Sequence, residues 1–208
     1  MTDKKIIIIA IVLAVLLIGG GWYYSKQSPG ASFPSASPSP GAFEAGILIG
    51  DPNASVTMEE YTNFLCPACA RFAATTLGQI KDDYIKNGKV KIIIYILPPY
   101  ELGWAALCSQ EQNKFMEFHD YTFAHQDQVT KEDDLKTFAV NAGLDSAKFN
   151  ACFDSGQYTD KVAKWYEEAS GRGVDSTPTF FINGQKLIGA QSYGDFKKII
   201  DEKINQAQ

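Results

Sequence analysis

Val56-Thr57-Met58-Glu59-Glu60-Tyr61-Thr62-Asn63-Phe64-Leu65-Cys66-Pro67-Ala68-Cys69-Ala70-Arg71-Phe72 is the stretch on which the fold turns. Val56 to Thr62 reads as a β-strand. Beyond it Cys69, Ala73, Leu77, Ile80 and Tyr84 recur near the 3.6-residue period of an amphipathic helix, and Gly88 supplies its stop. Cys66 then falls at the strand-to-helix junction, with Pro67 at the first helical position, where its missing N–H costs nothing. Free N–H groups and the helix dipole at that junction favour a thiolate, the form that attacks disulfides. Cys69, one turn further in, is placed to resolve a mixed disulfide. A Cys-x-x-Cys is also compatible with half of a zinc site or with an inert structural disulfide. No second pair stands at ligand spacing, since only Cys108, Cys152, His119 and His125 remain, so the expectation is redox chemistry with no metal.

The rest of the chain alternates in the same way. Val90 to Leu97 is an almost continuous β-branched run, as in a buried strand, and Pro98-Pro99 ends it. From Glu101 to about Gly171 the pattern is helical. Thr130 with Asp133 resembles a capping box, and Gly143 closes the helix that follows. Thr179 to Ile182 and Lys186 to Ile188 read as strands joined by Asn183-Gly184, the residue pair a tight hairpin wants. Ser192 with Asp195 opens a last helix whose Phe196, Ile199, Ile200 and Ile204 form one apolar face.

These residues resemble the DsbA-like branch of the thioredoxin superfamily. Three blocks carry the resemblance: Glu60 to Phe72 around the Cys-Pro-Ala-Cys motif, Gly173-Val174-Asp175-Ser176-Thr177-Pro178-Thr179-Phe180-Phe181-Ile182-Asn183-Gly184, and the helical stretch Cys108 to Asp120 between them. They stand in family order and spacing, and the match runs from about Gly50 to about Ile200. The resemblance implies an α/β thioredoxin fold with an inserted helical domain at about 101–171. It implies a thiol–disulfide oxidoreductase needing no cofactor, with Cys66 and Cys69 as the redox-active disulfide.

Further site residues follow from it. On sequence alone Thr177-Pro178 reads as an edge-strand feature. The resemblance makes this proline cis, facing the Cys-x-x-Cys, so that Thr177 and Pro178 hold an extended substrate. Glu60 shares strand parity with Val56 and Met58, which turns a carboxylate toward the core unless the strand end opens to water. The resemblance gives Glu60 a catalytic role, exchanging protons with Cys69, while Glu59 on the opposite face reads as solvated. Cys108 and Cys152 lie on apolar helical faces, as buried free thiols or as a pair. An even cysteine count outside the cytoplasm favours pairing, and Cys108–Cys152 resembles a second, structural disulfide found in part of the family. His119 and His125 have no evident partner and read as structural. In one respect the chain departs from the family: Ala68 stands where strong oxidases carry histidine, which implies a milder oxidant and leaves the direction of electron flow open.

The 208 residues are 45% hydrophobic, enough for one well-buried domain, and the net charge of −5 with no basic cluster excludes a general nucleic-acid binder. Lys4 and Lys5 precede an apolar run, Ile6 to Ile18, then three glycines and Trp22-Tyr23-Tyr24. A cleaved signal peptide shares this charged start and apolar middle. Ile6 to Tyr24, about 19 residues or roughly 28 Å of helix, also matches a bilayer core, with aromatics at the interface and lysines on the cytoplasmic side. The expected organisation is a signal-anchor over 1–24, a Pro/Ser-rich linker over 25–43 that cannot bury a core, and a DsbA-like domain over 44–208. The expected activity is introduction of disulfides into reduced or unfolded polypeptides outside the cytoplasm; a reoxidant must follow, which the resemblance implies is a quinone-linked membrane partner. The alternatives are the same chemistry run as a reductase or isomerase, and a non-catalytic polypeptide-binding module.

Overall fold

β-branched and aromatic runs build the sheet. A computed structural model describes residues 45–207. In it Ile47–Ile49 (β1), Val56–Thr62 (β2) and Val90–Ile96 (β3) form one half of a five-stranded sheet. Thr179–Ile182 (β4) and Gln185–Ile188 (β5) complete it, in the order β1-β3-β2-β4-β5. Only β2 and β3 are parallel, with Glu60 opposite Ile94 and Tyr61 opposite Tyr95; β4 runs antiparallel to β2 and brings Phe180 opposite Glu60. The β4–β5 turn has positive φ at both Asn183 (44°) and Gly184 (83°), the backbone a tight two-residue hairpin requires.

Parallel pairing of β2 and β3 demands a crossover. Helix α1 (Pro67–Phe72) supplies it, continuing through wide π-helical turns at Ala73–Leu77 and Lys81–Ile85 with Gly78–Ile80 between them. The wide turns shift the buried face from the one expected. Phe72 and Thr76 join Cys69, Leu77, Ile80 and Tyr84 inside, while Ala73 is only half-buried. A positive φ at Gly88 follows the helix.

Five helices are inserted between β3 and β4: α2 (Tyr100–Glu111), α3 (Phe115–Ala124), α4 (Glu132–Asn141), α5 (Ser146–Ser155) and α6 (Thr159–Gly171). The final helix α7 (Tyr193–Gln206) begins at Ser192, whose hydroxyl and backbone N–H both donate to the Asp195 carboxylate. The α4 cap differs from the expected Thr130–Asp133 pair. Helix α4 starts one residue later, and Asp134 accepts from the N–H and hydroxyl of Thr130 and from the N–H of Lys131.

The two faces of the sheet carry different work. On one, Phe72 of α1, Phe180 of β4 and Phe196 of α7 pack with ring centroids 4.6–5.2 Å apart. On the other, Tyr61 stacks on Tyr95 at 4.8 Å and Tyr95 meets the buried Trp165 of α6 edge-on. Glu59 points to this second face. It is not solvated as expected, because Arg172, just past α6, binds it with two hydrogen bonds of 2.7 and 2.9 Å. The Arg172 guanidinium also donates to the Tyr61 hydroxyl and lies 3.9 Å from the Phe181 ring centre. This ties the end of the insert to the sheet. The anchor expected over 1–24 and the linker expected over 25–43 lie outside the described residues; among the described residues no helix is long and apolar enough to cross a membrane.

Candidate active site

The end of β2 and the start of α1 meet in a tight turn held by one side chain. Asn63 Oδ1 accepts from the N–H of Leu65 (2.7 Å), and the Asn63 carbonyl accepts from the N–H of Cys66 (3.0 Å). The Asn63 amide donates to the carbonyls of Leu97 and Pro98, where β3 ends in a cis Pro98-Pro99 bond. The turn that presents Cys66 is therefore fastened to the neighbouring strand end. Sequence reasoning missed Asn63, although an Asn directly after a strand and three residues before the motif is a turn-former in the right place.

Cys66 caps α1 in an extended conformation (φ −87°, ψ 118°), and Pro67 follows at the first helical position. As a thiol, Cys66 Sγ donates to the Thr177 carbonyl at 3.3 Å. Partial burial opposes its ionisation, but the Thr177 side chain, the backbone N–H groups of Cys69 and Ala68, and the Cys69 thiol outweigh that, holding Cys66 below the ordinary thiol value. Cys69 is fully buried, and burial pushes its thiol up to about 12. Two thiols one helical turn apart thus have opposite tendencies. The half-buried one ionises more readily, and the inner one holds its proton.

The Thr177-Pro178 bond is cis and lies against the Cys66 side of the motif. It is held from beneath: Thr179 donates its hydroxyl to the Ser176 carbonyl (2.7 Å), and the Pro178 carbonyl accepts from Gly189 (2.8 Å). Beside it opens a groove of about 570 Å³ whose walls include Asn63, Leu97, Pro98, Tyr100, Tyr166 and Thr177. Tyr100 and Tyr166 come from the first and last helices of the insert, and both are exposed. So is Leu65, which adjoins Cys66 in the chain.

Glu60 is 1% exposed and faces the α1 side of the sheet. Burial raises its pKa from 4.5 to about 8, with Thr62 opposing only in part. A carboxyl that keeps its proton near neutrality can act as acid or base there.

The remaining candidates lie inside the insert. Cys108 on α2 and Cys152 on α5 form a disulfide, Cα atoms 5.8 Å apart. The two histidines do have partners, contrary to expectation. His119 Nδ1 lies 2.8 Å from Asp120 Oδ1, its ring is enclosed by Phe64, Phe115 and Phe123, and burial holds it below the usual imidazole value. His125 Nδ1 lies 2.8 Å from the Tyr121 carbonyl, and the two rings stack. Phe64, two residues before Cys66, packs on His119, so the active-site turn touches the insert.

The family model described as Thioredoxin matches residues 43–202. Over 178 residues the chain is 28% identical to a Bacillus cereus protein named probable disulfide bond formation protein D, covering 79% of this chain and 82% of that one. Among solved structures, alpha-DsbA1 of Wolbachia pipientis has a TM-score of 0.69 at 26% identity, covering 77% of this chain and 91% of that one. Oxidised BdbD from Bacillus subtilis shares the fold, with a TM-score of 0.66 at 22% identity over 78% of this chain and 94% of that one.

Proposed function

The chain belongs to the thioredoxin family as a DsbA-like thiol–disulfide oxidoreductase, and on that premise we propose that it introduces disulfide bonds into reduced polypeptides outside the cytoplasm. The observation that carries this reading is the asymmetry of the pair: Cys66 at the helix start is held below the ordinary thiol value, and buried Cys69 is pushed up to about 12. A substrate thiolate attacks Cys66 Sγ of the oxidised pair; the Cys66–Cys69 bond breaks, and Cys69 leaves with the electron pair and takes a proton. A second substrate thiolate then attacks the substrate sulfur of the mixed disulfide. Cys66 leaves as the thiolate its surroundings favour, and two electrons have passed from substrate to enzyme.

The other site residues take supporting roles in this proposal. Glu60 exchanges the proton that Cys69 needs. Thr177 and Pro178 hold an extended segment of substrate against Cys66, and the neighbouring groove accepts its flanking residues. The Cys108–Cys152 disulfide stiffens the insert. The 1–24 segment anchors the protein, the 25–43 linker spaces the 44–208 domain from the bilayer, and a quinone-linked membrane protein reoxidises the pair.

One observation favours a second reading. Ala68 contributes only its backbone to Cys66, and a less stabilised thiolate makes the disulfide more stable and the enzyme less oxidising. Equilibration of the Cys66–Cys69 pair with glutathione decides between them. The expected potential lies between about −120 mV, that of strong oxidases, and about −270 mV, that of thioredoxin, and any value well above the latter permits net oxidation. A value at or below the lower limit makes the enzyme a reductase.

A further inference from the structure

Two polar atoms under the active site have no well-formed hydrogen bond. Glu60 Oε2 and Thr62 Oγ1 are both buried and unsatisfied, a state that is costly and rare unless it serves something. They are two residues apart on β2, so their side chains leave the same face of the strand. Thr62 is the last residue of that strand and is fully buried. Its hydroxyl lies near enough to both the Glu60 carboxyl and the Cys69 thiol to favour their charged forms, although neither approach is a formed hydrogen bond. A hydroxyl is both donor and acceptor and its hydrogen rotates, so it can accept from one neighbour while donating to the other. Among the described residues no charged group acts on the carboxyl: Ile94 on β3 and Phe180 on β4 are its register partners, and Phe72 of α1 and Phe196 of α7 pack on Phe180.

We propose that the Thr62 hydroxyl is the relay through which a proton passes between Glu60 and Cys69. This rests on the reading of Cys66–Cys69 as the exchanging pair. When a substrate thiolate attacks Cys66 Sγ, the sulfur–sulfur bond breaks and its electron pair stays on Cys69 Sγ. Thr62 gives its hydroxyl proton to that sulfur and takes the Glu60 proton in return. The hydroxyl is restored, the thiol is neutral, and the Glu60 carboxylate regains a proton from solvent. During reoxidation the same path runs in reverse, and Cys69 is deprotonated by Glu60.

The test is the rate at which the oxidised full-length protein is reduced by dithiothreitol, from pH 5 to pH 9, for wild type, Thr62→Val, Thr62→Ser, Glu60→Gln and Glu60→Gln/Thr62→Val. General acid catalysis contributes about 10²–10⁴-fold, so Thr62→Val is expected to slow reduction at pH 6 about 10- to 100-fold. Thr62→Ser retains the wild-type rate, and the double variant is no slower than Glu60→Gln alone. The wild-type advantage over Thr62→Val fades above pH 8, as Glu60, with its pKa of about 8, loses its proton. Thr62→Val at the wild-type rate, equal slowing in Thr62→Ser, or losses that multiply in the double variant would overturn the relay. If Thr62→Val fails to fold, Thr62→Ala carries the same expectations. Failure of the underlying reading looks different: wild type would then oxidise a reduced, unfolded polypeptide no faster than Cys66→Ser does.

Discussion

At the scale of single residues, Glu60 links the proposed chemistry to stability. Its folded pKa of about 8 stands above the ordinary 4.5 because burial disfavours the carboxylate. Below pH 4.5 folded and unfolded chains both carry the proton and nothing is lost. Between 4.5 and 8 the unfolded chain releases a proton that the native protein retains, so stability falls as pH rises. Relative to Glu60→Gln, the wild-type protein is expected to lose about 3 kcal/mol between pH 4.5 and pH 7, at about 1.4 kcal/mol per pH unit. Urea unfolding of both proteins at the two pH values measures this difference. Parallel stabilities would mean that Glu60 ionises as freely in the folded protein as in the unfolded chain. The buried acid is a standing cost, which its proposed role as proton partner of Cys69 would account for.

At the scale of elements, the insert is held by one covalent and several aromatic contacts. The Cys108–Cys152 bond closes a loop of 44 residues between α2 and α5. In the chain-entropy account a loop of this length contributes about 4 kcal/mol. Cys108→Ala/Cys152→Ala is therefore expected to be less stable by up to about 4 kcal/mol in urea unfolding. Exchange at Cys66 should persist in the folded fraction, because β2, α1 and the Thr177-Pro178 loop come from the sheet rather than from these helices. Loss of exchange in protein that remains folded would show that the insert positions the turn. Phe64, packed on Phe118, His119 and Phe123, is the contact through which it would do so.

At the scale of the whole molecule, the proposed tether decides which proteins can be substrates. An anchored domain meets polypeptides as they emerge at the outer face of the membrane, and it can be reoxidised by a partner in the same bilayer. Two measurements on cells making the full chain test the placement. After mild reduction, a membrane-impermeant maleimide added outside is expected to label Cys66, and alkaline carbonate is expected to leave the protein in the membrane pellet. A protein that is shielded from the reagent until the cells are lysed would refute extracytoplasmic placement. A labelled, carbonate-soluble product would mark a cleaved, released form.

Local patterns in the sequence determined a good deal. The β-branched run Val90 to Leu97, the Asn183-Gly184 turn and the Ser192–Asp195 cap each specify an element through contacts within a few residues, and each has a distinct period or turn chemistry. Strand parity alone turned Glu60 inward, and it would have turned Thr62 inward with it. The start of α4 was ambiguous because Asp133 and Asp134 both follow Thr130, and only the backbone path selects Asp134. Tertiary structure decided what depends on distant parts of the chain coming together. Glu59 meets Arg172 across 113 residues, Asn63 reaches the end of β3 across 34, and Cys66 meets Thr177 across 111. Arg172 and Leu97 are not marked as partners by their own neighbours in sequence, and Thr177 is placed only through the family resemblance. They are chosen by closure of the sheet, which brings the ends of β2, β3 and β4 to one edge and makes two unequal thiols from one Cys-Pro-Ala-Cys, the first in the helix-end field and the second sealed on the buried face of α1.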